Sequence, residues 1–422
     1  RVAERELPKS AGPGRDRLAA RIVEMACFLP DREDIMRRNA PAVAAIDTPE
    51  MVARVRAVEA HDAMLVGAPA EEVAELARDA LAAGALTTDT SEGSVPAFLA
   101  CIALAAAGDA ASADSGIDRL LVTARRRGSV VAYAAALSVR ARLRLARGDL
   151  KGCEADAVEI AAGGSEGIAR HYSSGWLVGS LVAQGRLEEA EEEVRHGILG
   201  GDVPNLMALN SGLHARGRLR IAEGRIEEGL RDVIACGERQ ERAGAISPAD
   251  VPWRGTAALA LLALGRTEHA REMSAAHSAL AEAFGAPAVV GAALRIRGLV
   301  VGGPEALRLL EHSVELLDGA PARLELAHAQ LALGRARQAT GDDEGARRSF
   351  ARARELAEEL NATPLKAEAM TALLAAGGRP RRARAKCEGA GAVDRPGRKG
   401  MGGSPQAARC AHGDGRTARR DA

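Results

Sequence analysis

The chain has almost no aromatic side chains: two Trp, two Tyr and four Phe among 422 residues, 2% in all. With hydrophobic residues at 47%, the core must therefore be aliphatic, built from Ala, Leu and Val. Ala and Leu are strong helix formers, and β-branched residues are comparatively sparse, so the composition predicts an all-α protein. No apolar run approaches the roughly 20 residues that span a bilayer, which excludes a membrane helix. Cysteine is scarce and scattered. Cys27, Cys101, Cys153, Cys236, Cys387 and Cys410 form no C-x-x-C pair, and most of them read as small core residues in a reduced, cytoplasmic setting. The start, Arg1-Val2-Ala3-Glu4-Arg5-Glu6, is charged and carries no apolar leader, and without an initiating Met it is expected to lie inside a longer product.

Chemistry is also sparse. No G-x-x-x-x-G-K-[ST] occurs; the glycine cluster Gly12-Pro13-Gly14-Arg15 lacks the lysine and the strand–loop–helix context. No H-E-x-x-H occurs, and His269 and His277 stand eight apart, two helical turns rather than one. Ser173-Ser174-Gly175 reads as mid-helix, with no evident base beside it. The acidic run Gly341-Asp342-Asp343-Glu344-Gly345 reads as turn and cap rather than cation site, and Arg125-Arg126-Arg127 as the cationic end of a helix. The expectation is a protein that is not an enzyme and holds no cofactor and no metal.

What is present is a ladder. Gly108-Asp109, Gly148-Asp149, Gly185-Arg186, Gly224-Arg225, Gly265-Arg266 and Gly341-Asp342 recur at intervals of 40, 37, 39, 41 and 76, the last being two periods of 38. Five residues after each glycine stands a small residue: Ala113, Cys153, Ala190, Gly229, Ala270 or Ala346. A fixed period with a small residue in register is the mark of stacked helix pairs. Glycine suits the left-handed position just past a helix end, Asp can cap the helix that follows, and Arg cannot. Pro96, Pro252, Pro287, Pro321 and Pro364 mark starts of first helices. In the last copy Ala346, Phe350, Ala353, Leu356, Ala357 and Leu360 make one stripe, with Arg347, Arg348, Arg352, Arg354, Glu355 and Glu358 largely off it. Around Gly302-Gly303-Pro304 the period survives, but the Gly-[Asp/Arg] step and the small residue are lost. A weaker copy is expected at Gly67-Ala68-Pro69.

The fold predicted is a tetratricopeptide-like α-solenoid, a superhelix of antiparallel helix pairs. Residues 1–66 form an N-terminal helical segment, remnant or cap; 67–376 are repeats; 377–422 are a disordered tail. About seven to eight pairs are expected between 50 and 362, with a final helix near 364–375. First helices line the concave face, and Tyr133, Tyr172, Trp176 and Trp253 are the candidate groove contacts. The tail has twelve Lys/Arg against four Asp/Glu and ten Gly, and no period. It reads either as a basic arm for nucleic acid or acidic protein, or as a GC-rich gene translated out of frame.

The stretch from Gly334 to Arg382 (Gly-Arg-Ala-Arg-Gln-Ala-Thr-Gly-Asp-Asp-Glu-Gly-Ala-Arg-Arg-Ser-Phe at its start) resembles the segment just before the DNA-binding domain of the large LuxR-type, MalT-like transcriptional regulators of actinobacteria. The resemblance is specific over 334–382 and loose over the rest of the repeats. It implies an ATPase upstream, a helical-repeat region here, and a helix-turn-helix downstream. The helix-turn-helix pattern expected after Arg382 is replaced by Cys387-Glu-Gly-Ala-Gly-Ala-Val-Asp-Arg-Pro396, so a frameshift near Lys386 is expected and no DNA-reading residue is carried over. The implied function is effector binding and signal coupling, with a protein or small molecule in the concave groove and neither a membrane nor direct DNA binding by the repeats. The alternative is a stand-alone protein-interaction scaffold whose basic tail binds nucleic acid weakly and non-specifically.

Overall fold

The computed structural model describes residues 13–82, 94–163 and 168–378. These lie within one compact unit, Arg1–Pro380; a second unit, Arg381–Ala422, lies outside the described residues, and with it the expected tail from 379 onward.

The described residues form nineteen α-helices and no strand. In order they are α1 Pro13–Ala26, α2 Arg32–Ala44, α3 Pro49–Val66, α4 Ala70–Ala82, α5 Ser94–Ala106, α6 Ala110–Arg127, α7 Val130–Arg147, α8 Leu150–Ala162, α9 Ile168–Gln184 and α10 Leu187–His196. There follow α11 Met207–Ala222, α12 Ile226–Arg242, α13 Trp253–Ala263, α14 Thr267–Phe284, α15 Pro287–Val301, α16 Gly303–Asp318, α17 Arg323–Ala339, α18 Asp343–Glu359 and α19 Thr363–Ala375. They pack as successive pairs, α1 with α2 through α17 with α18, and α19 closes the array against α18. This is the all-α solenoid that the period predicts.

The ladder glycines end first helices. Gly108, Gly148, Gly185, Gly224, Gly265 and Gly341 have φ of +93°, +89°, +81°, +83°, +72° and +84°, the left-handed region where a β-carbon is strained. Gly67, at +82°, joins α3 to α4 in the same way. At the turn into α19 the position is taken by Asn361 at φ +60°, the residue type that tolerates it next best after glycine. Where Asp follows the glycine it caps the second helix: Asp109, Asp149 and Asp342 accept from Ser112, Gly152 and Gly345 backbone N–H at 3.1, 2.9 and 2.8 Å.

Where Arg follows, no cap forms and the side chain turns to the pair before it. Arg186 reaches Glu154 at 2.7 Å, Arg225 reaches Glu191 at 3.3 Å and Arg266 reaches Glu227 at 3.2 Å. Each glutamate sits on the second helix of the preceding pair. Asp109 makes the same link with opposite sign, to Arg78 at 2.9 Å. The second residue of each of these steps therefore ties neighbouring repeats together.

The small residues lie where the helices of a pair approach. Ala113, Cys153, Ala190, Ala270 and Ala346 are fully buried, and a β-carbon at Gly229 would stand 2.4 Å from the Gly217 carbonyl oxygen. The divergent pair inverts the arrangement. Its small residues are Gly291 and Gly298 on α15, receiving Leu317 and Leu310 from α16. The stripe Ala346, Phe350, Ala353, Leu356, Ala357 and Leu360 is buried, with Phe350 seated in the notch left by Gly334. Arg354 departs from the expectation of an off-stripe residue: it is buried and paired with Glu358 at 2.9 Å.

The superhelix turns tightly enough to meet itself. α7 touches α17, and α9 touches α19. A β-carbon at Gly185 would stand 2.7 Å from Pro364 Cγ, and one at Gly148 would stand 3.2 Å from the Leu324 amide nitrogen. Leu150 of α8 belongs to the same core cluster as Leu317, Leu356 and Leu373. The segment 243–252, between α12 and α13, crosses to the first helices. The Ala243 carbonyl accepts from Arg32 Nε and Nη2 at 3.2 and 3.0 Å, and Ser247 N–H donates to the Leu65 carbonyl at 3.0 Å. Ala245 packs with Phe98, Leu104 and Phe284 in the N-terminal core.

Candidate functional site

A cavity of about 200 Å³ opens inside the N-terminal half of the superhelix. Its walls come from Cys27 and Phe28 after α1, His61 and Leu65 of α3, Phe98, Leu99 and Ile102 of α5, and Val131 to Arg142 of α7. Ala169 and Tyr172 of α9, Met207, Ala208 and Ser211 of α11, and Asp250 and Val251 of the crossing segment complete them. Successive first helices supply one wall each because the pairs stack with the first helix inward, and Asp250 and Val251 close the far side. The Met207 N–H bonds the Phe28 carbonyl at 3.1 Å, joining the two rims.

Arg142 organises the polar side. Its Nη1 donates to the Tyr172 hydroxyl and to Asp250 Oδ1, both at 3.0 Å, and its guanidinium lies 5.4 Å from the Trp176 ring centroid. Gln240 Nε2 donates to Asp250 Oδ2 at 2.9 Å. Burial works against the Arg142 charge, but Tyr172 and Asp250 outweigh it and hold the guanidinium above its ordinary range. Tyr172 is raised, first by its own burial and then by Asp250. The pair cancels in charge, so the cavity has a neutral lining with one internal ion pair.

His61 is neutral at pH 7, since burial lowers it to about 4, with the nearby Arg142 and Arg32 charges acting the same way. Cys27 is no nucleophile: burial pushes the thiol up to about 12, and Sγ donates to the Val23 carbonyl at 3.6 Å. Among the described residues no group of three His, Cys, Asp or Glu is placed to hold a metal. His277 is buried on α14 while His269 is exposed, so that sequence pair is not brought together.

A second polar cluster lies further along the array. Arg295 donates to Glu325 at 2.8 Å and, against the effect of burial, holds its carboxyl down at about 2; burial keeps His328 at about 4. His214 on α11 shares a 2.8 Å hydrogen bond with Thr256.

The four aromatic candidates divide. Tyr172 lines the cavity, and Trp176 packs edge-on against it at 5.3 Å between centroids, one step behind the wall. Tyr133 is on the inner helix α7 but does not line the cavity: it donates to Glu159 of its own pair at 2.7 Å and accepts from Arg125 of the preceding pair at 2.6 Å. Trp253 is buried at the start of α13, filling the space left by Gly237, with Arg254 over its ring at 4.4 Å. The wall residues His61, Arg142, Met207, Ser211 and Asp250 had no local signal in the sequence. The nearest was the charged pair of Arg142 and Asp250, 108 residues apart.

No family model and no curated protein matches this chain. Among solved structures, BtubC (BKLC) from P. vanneervenii is similar, with 14% identity and a TM-score of 0.35 over 66% of this chain and 99% of that one. At that score the likeness bears on neither fold nor function, and the fold rests on the helix pairs themselves. No helix among the described residues is long and apolar enough to cross a membrane.

Proposed function

We propose that this chain is the effector-binding and signal-coupling repeat region of a LuxR-type transcriptional regulator, working in the cytoplasm. One observation carries the reading. The helices that wall the cavity, α7 and α9, are the same ones that touch α17 and α19 across the superhelical turn. An occupant pressing on Val139 or Tyr172 thus acts on helices that meet the C-terminal end directly, without passing through the intervening repeats. That end contains the stretch 334–382, whose residues resemble the segment leading into a DNA-binding domain. Coupling of this kind needs two sites and an element both can bias, and the α9–α19 contact supplies such an element.

Hydrogen exchange tests it. Ala135→Trp places an indole in the cavity. Exchange in α19, Pro364–Ala375, should change by about threefold or more, while the first two turns of α14, Thr267–Ser274, stay as they were. A change confined to α7 and its immediate neighbours would refute the coupling.

A further inference from the structure

We infer that the cavity binds an uncharged, mainly hydrophobic small molecule that carries one hydrogen-bonding group, received by His61 and Ser211. The inference rests on the effector reading and narrows it to a chemical class.

The walls are apolar, with Phe98, Leu99, Ile102, Val139, Met207 and Val251 among them. The cavity, about 200 Å³ and open at its mouth, suits a molecule of two or three rings. The polar groups decide what kind. Arg142 donates to both Tyr172 and Asp250, Ser138 Oγ donates to the Ala135 carbonyl at 2.7 Å, and Cys27 donates to the Val23 carbonyl. A charged ligand would lose its hydration and find no free counter-charge among the described lining residues.

Two polar side chains remain uncommitted. His61 and Ser211 are 8% and 7% exposed, and both line the cavity. His61 Nδ1 and Ser211 Oγ have no hydrogen-bond partner among the described residues; both are covered as the side chains stand, so a ligand in the cavity reaches them when the side chains turn to another rotamer. Buried polar groups are nearly always paired, and each unpaired one is a standing cost that a ligand's hydroxyl, amine or carbonyl would relieve. Burial keeps the imidazole neutral, so it offers one donor and one acceptor rather than a charge.

Two dyes with one ring system test the class: N-phenylnaphthylamine, which is uncharged and has a single N–H, and anilinonaphthalene sulfonate, which adds an anion. The first should bind one to one with a rise in emission, and the second about tenfold more weakly or worse. The single N–H makes one hydrogen bond, so one of His61→Leu and Ser211→Ala should weaken the first dye by about three- to tenfold, and loss of affinity in neither variant would overturn the assignment of these two residues. Phenylnaphthalene, lacking the N–H, should not weaken. Ala135→Trp should abolish binding, as should Val131→Trp, at a mouth position that is 72% exposed and outside the core. If the sulfonate binds more tightly and both tryptophan variants remove it, the ligand class is overturned while the cavity reading stands. If neither dye binds, or binding survives both variants, the cavity reading itself falls.

Discussion

Replacing Asp250 by Ala should be among the most damaging single changes in the molecule. Asp250 and Arg142 are 3.0 Å apart, with side chains 13% and 12% exposed, and Asp250 also accepts from Gln240, which is itself buried. Removing the carboxylate leaves a guanidinium beside an apolar cavity with the Tyr172 hydroxyl as its hydrogen-bond partner among the described residues. Breaking a buried pair from one side costs about 3–5 kcal/mol. The lost Gln240 bond contributes about 1 kcal/mol within that range. Asp250→Asn keeps an acceptor and should fall between the variant and the parent. Arg142→Leu combined with Asp250→Ala removes both charges and should be less destabilising than the sum of its parts by about 2 kcal/mol or more. Urea unfolding followed by circular dichroism, compared at constant m-value, reads all four variants. An Asp250→Ala loss under about 1 kcal/mol, or additive singles, would show that the crossing segment is not held by this pair.

Gly185→Ala and Gly224→Ala form a matched pair: both have φ near +80°, but nothing lies near a β-carbon at Gly224 while Pro364 stands 2.7 Å from one at Gly185. Gly224→Ala should cost about 1–2 kcal/mol of backbone strain and Gly185→Ala about 1–3 kcal/mol more; equal losses in thermal melts would mean that the turn-to-turn contact contributes nothing. Burial lowers His61, His277 and His328 to about 4 and His214 to about 3, against 6.5 when free, so below pH 6.5 the unfolded chain takes up protons the folded chain refuses. Their stability contribution is full above pH 6.5 and is lost as pH falls toward 4, at about 5 kcal/mol per pH unit for the four together; a denaturation midpoint unchanged between pH 7 and 5 would sink this.

The parts of the fold that were readable in the sequence are those fixed within one repeat. A left-handed turn and a close helix approach each demand one residue type at one offset, so Gly108 to Gly341 and Ala113 to Ala346 stand out. The final stripe from Ala346 to Leu360 was readable for the same reason. What spans repeats was not. The arginines after the turn glycines were read only as missing caps, because their glutamate partners lie 32 to 39 residues earlier on another pair. The cavity was less visible still. Its wall is one or two turns from each of several helices, and Asp250 and Val251, which close its far side, sit in a segment with the look of an ordinary connection. Rarity marks Tyr172, but it marks Trp253 equally, whose ring fills a glycine notch in the core.

The contacts of α7 with α17 and of α9 with α19 change how the array comes apart. In an open stack each repeat leans only on its neighbours, and the ends can fray while the middle holds. Here α19 rests on a turn nearly 180 residues earlier, so peeling it away uncovers Gly185 and the end of α9 as well. Loss of the last helix is then felt in the middle of the chain, and the two halves are expected to melt as one transition. The same long-range closure raises contact order, so this solenoid should fold more slowly than an open array of equal length.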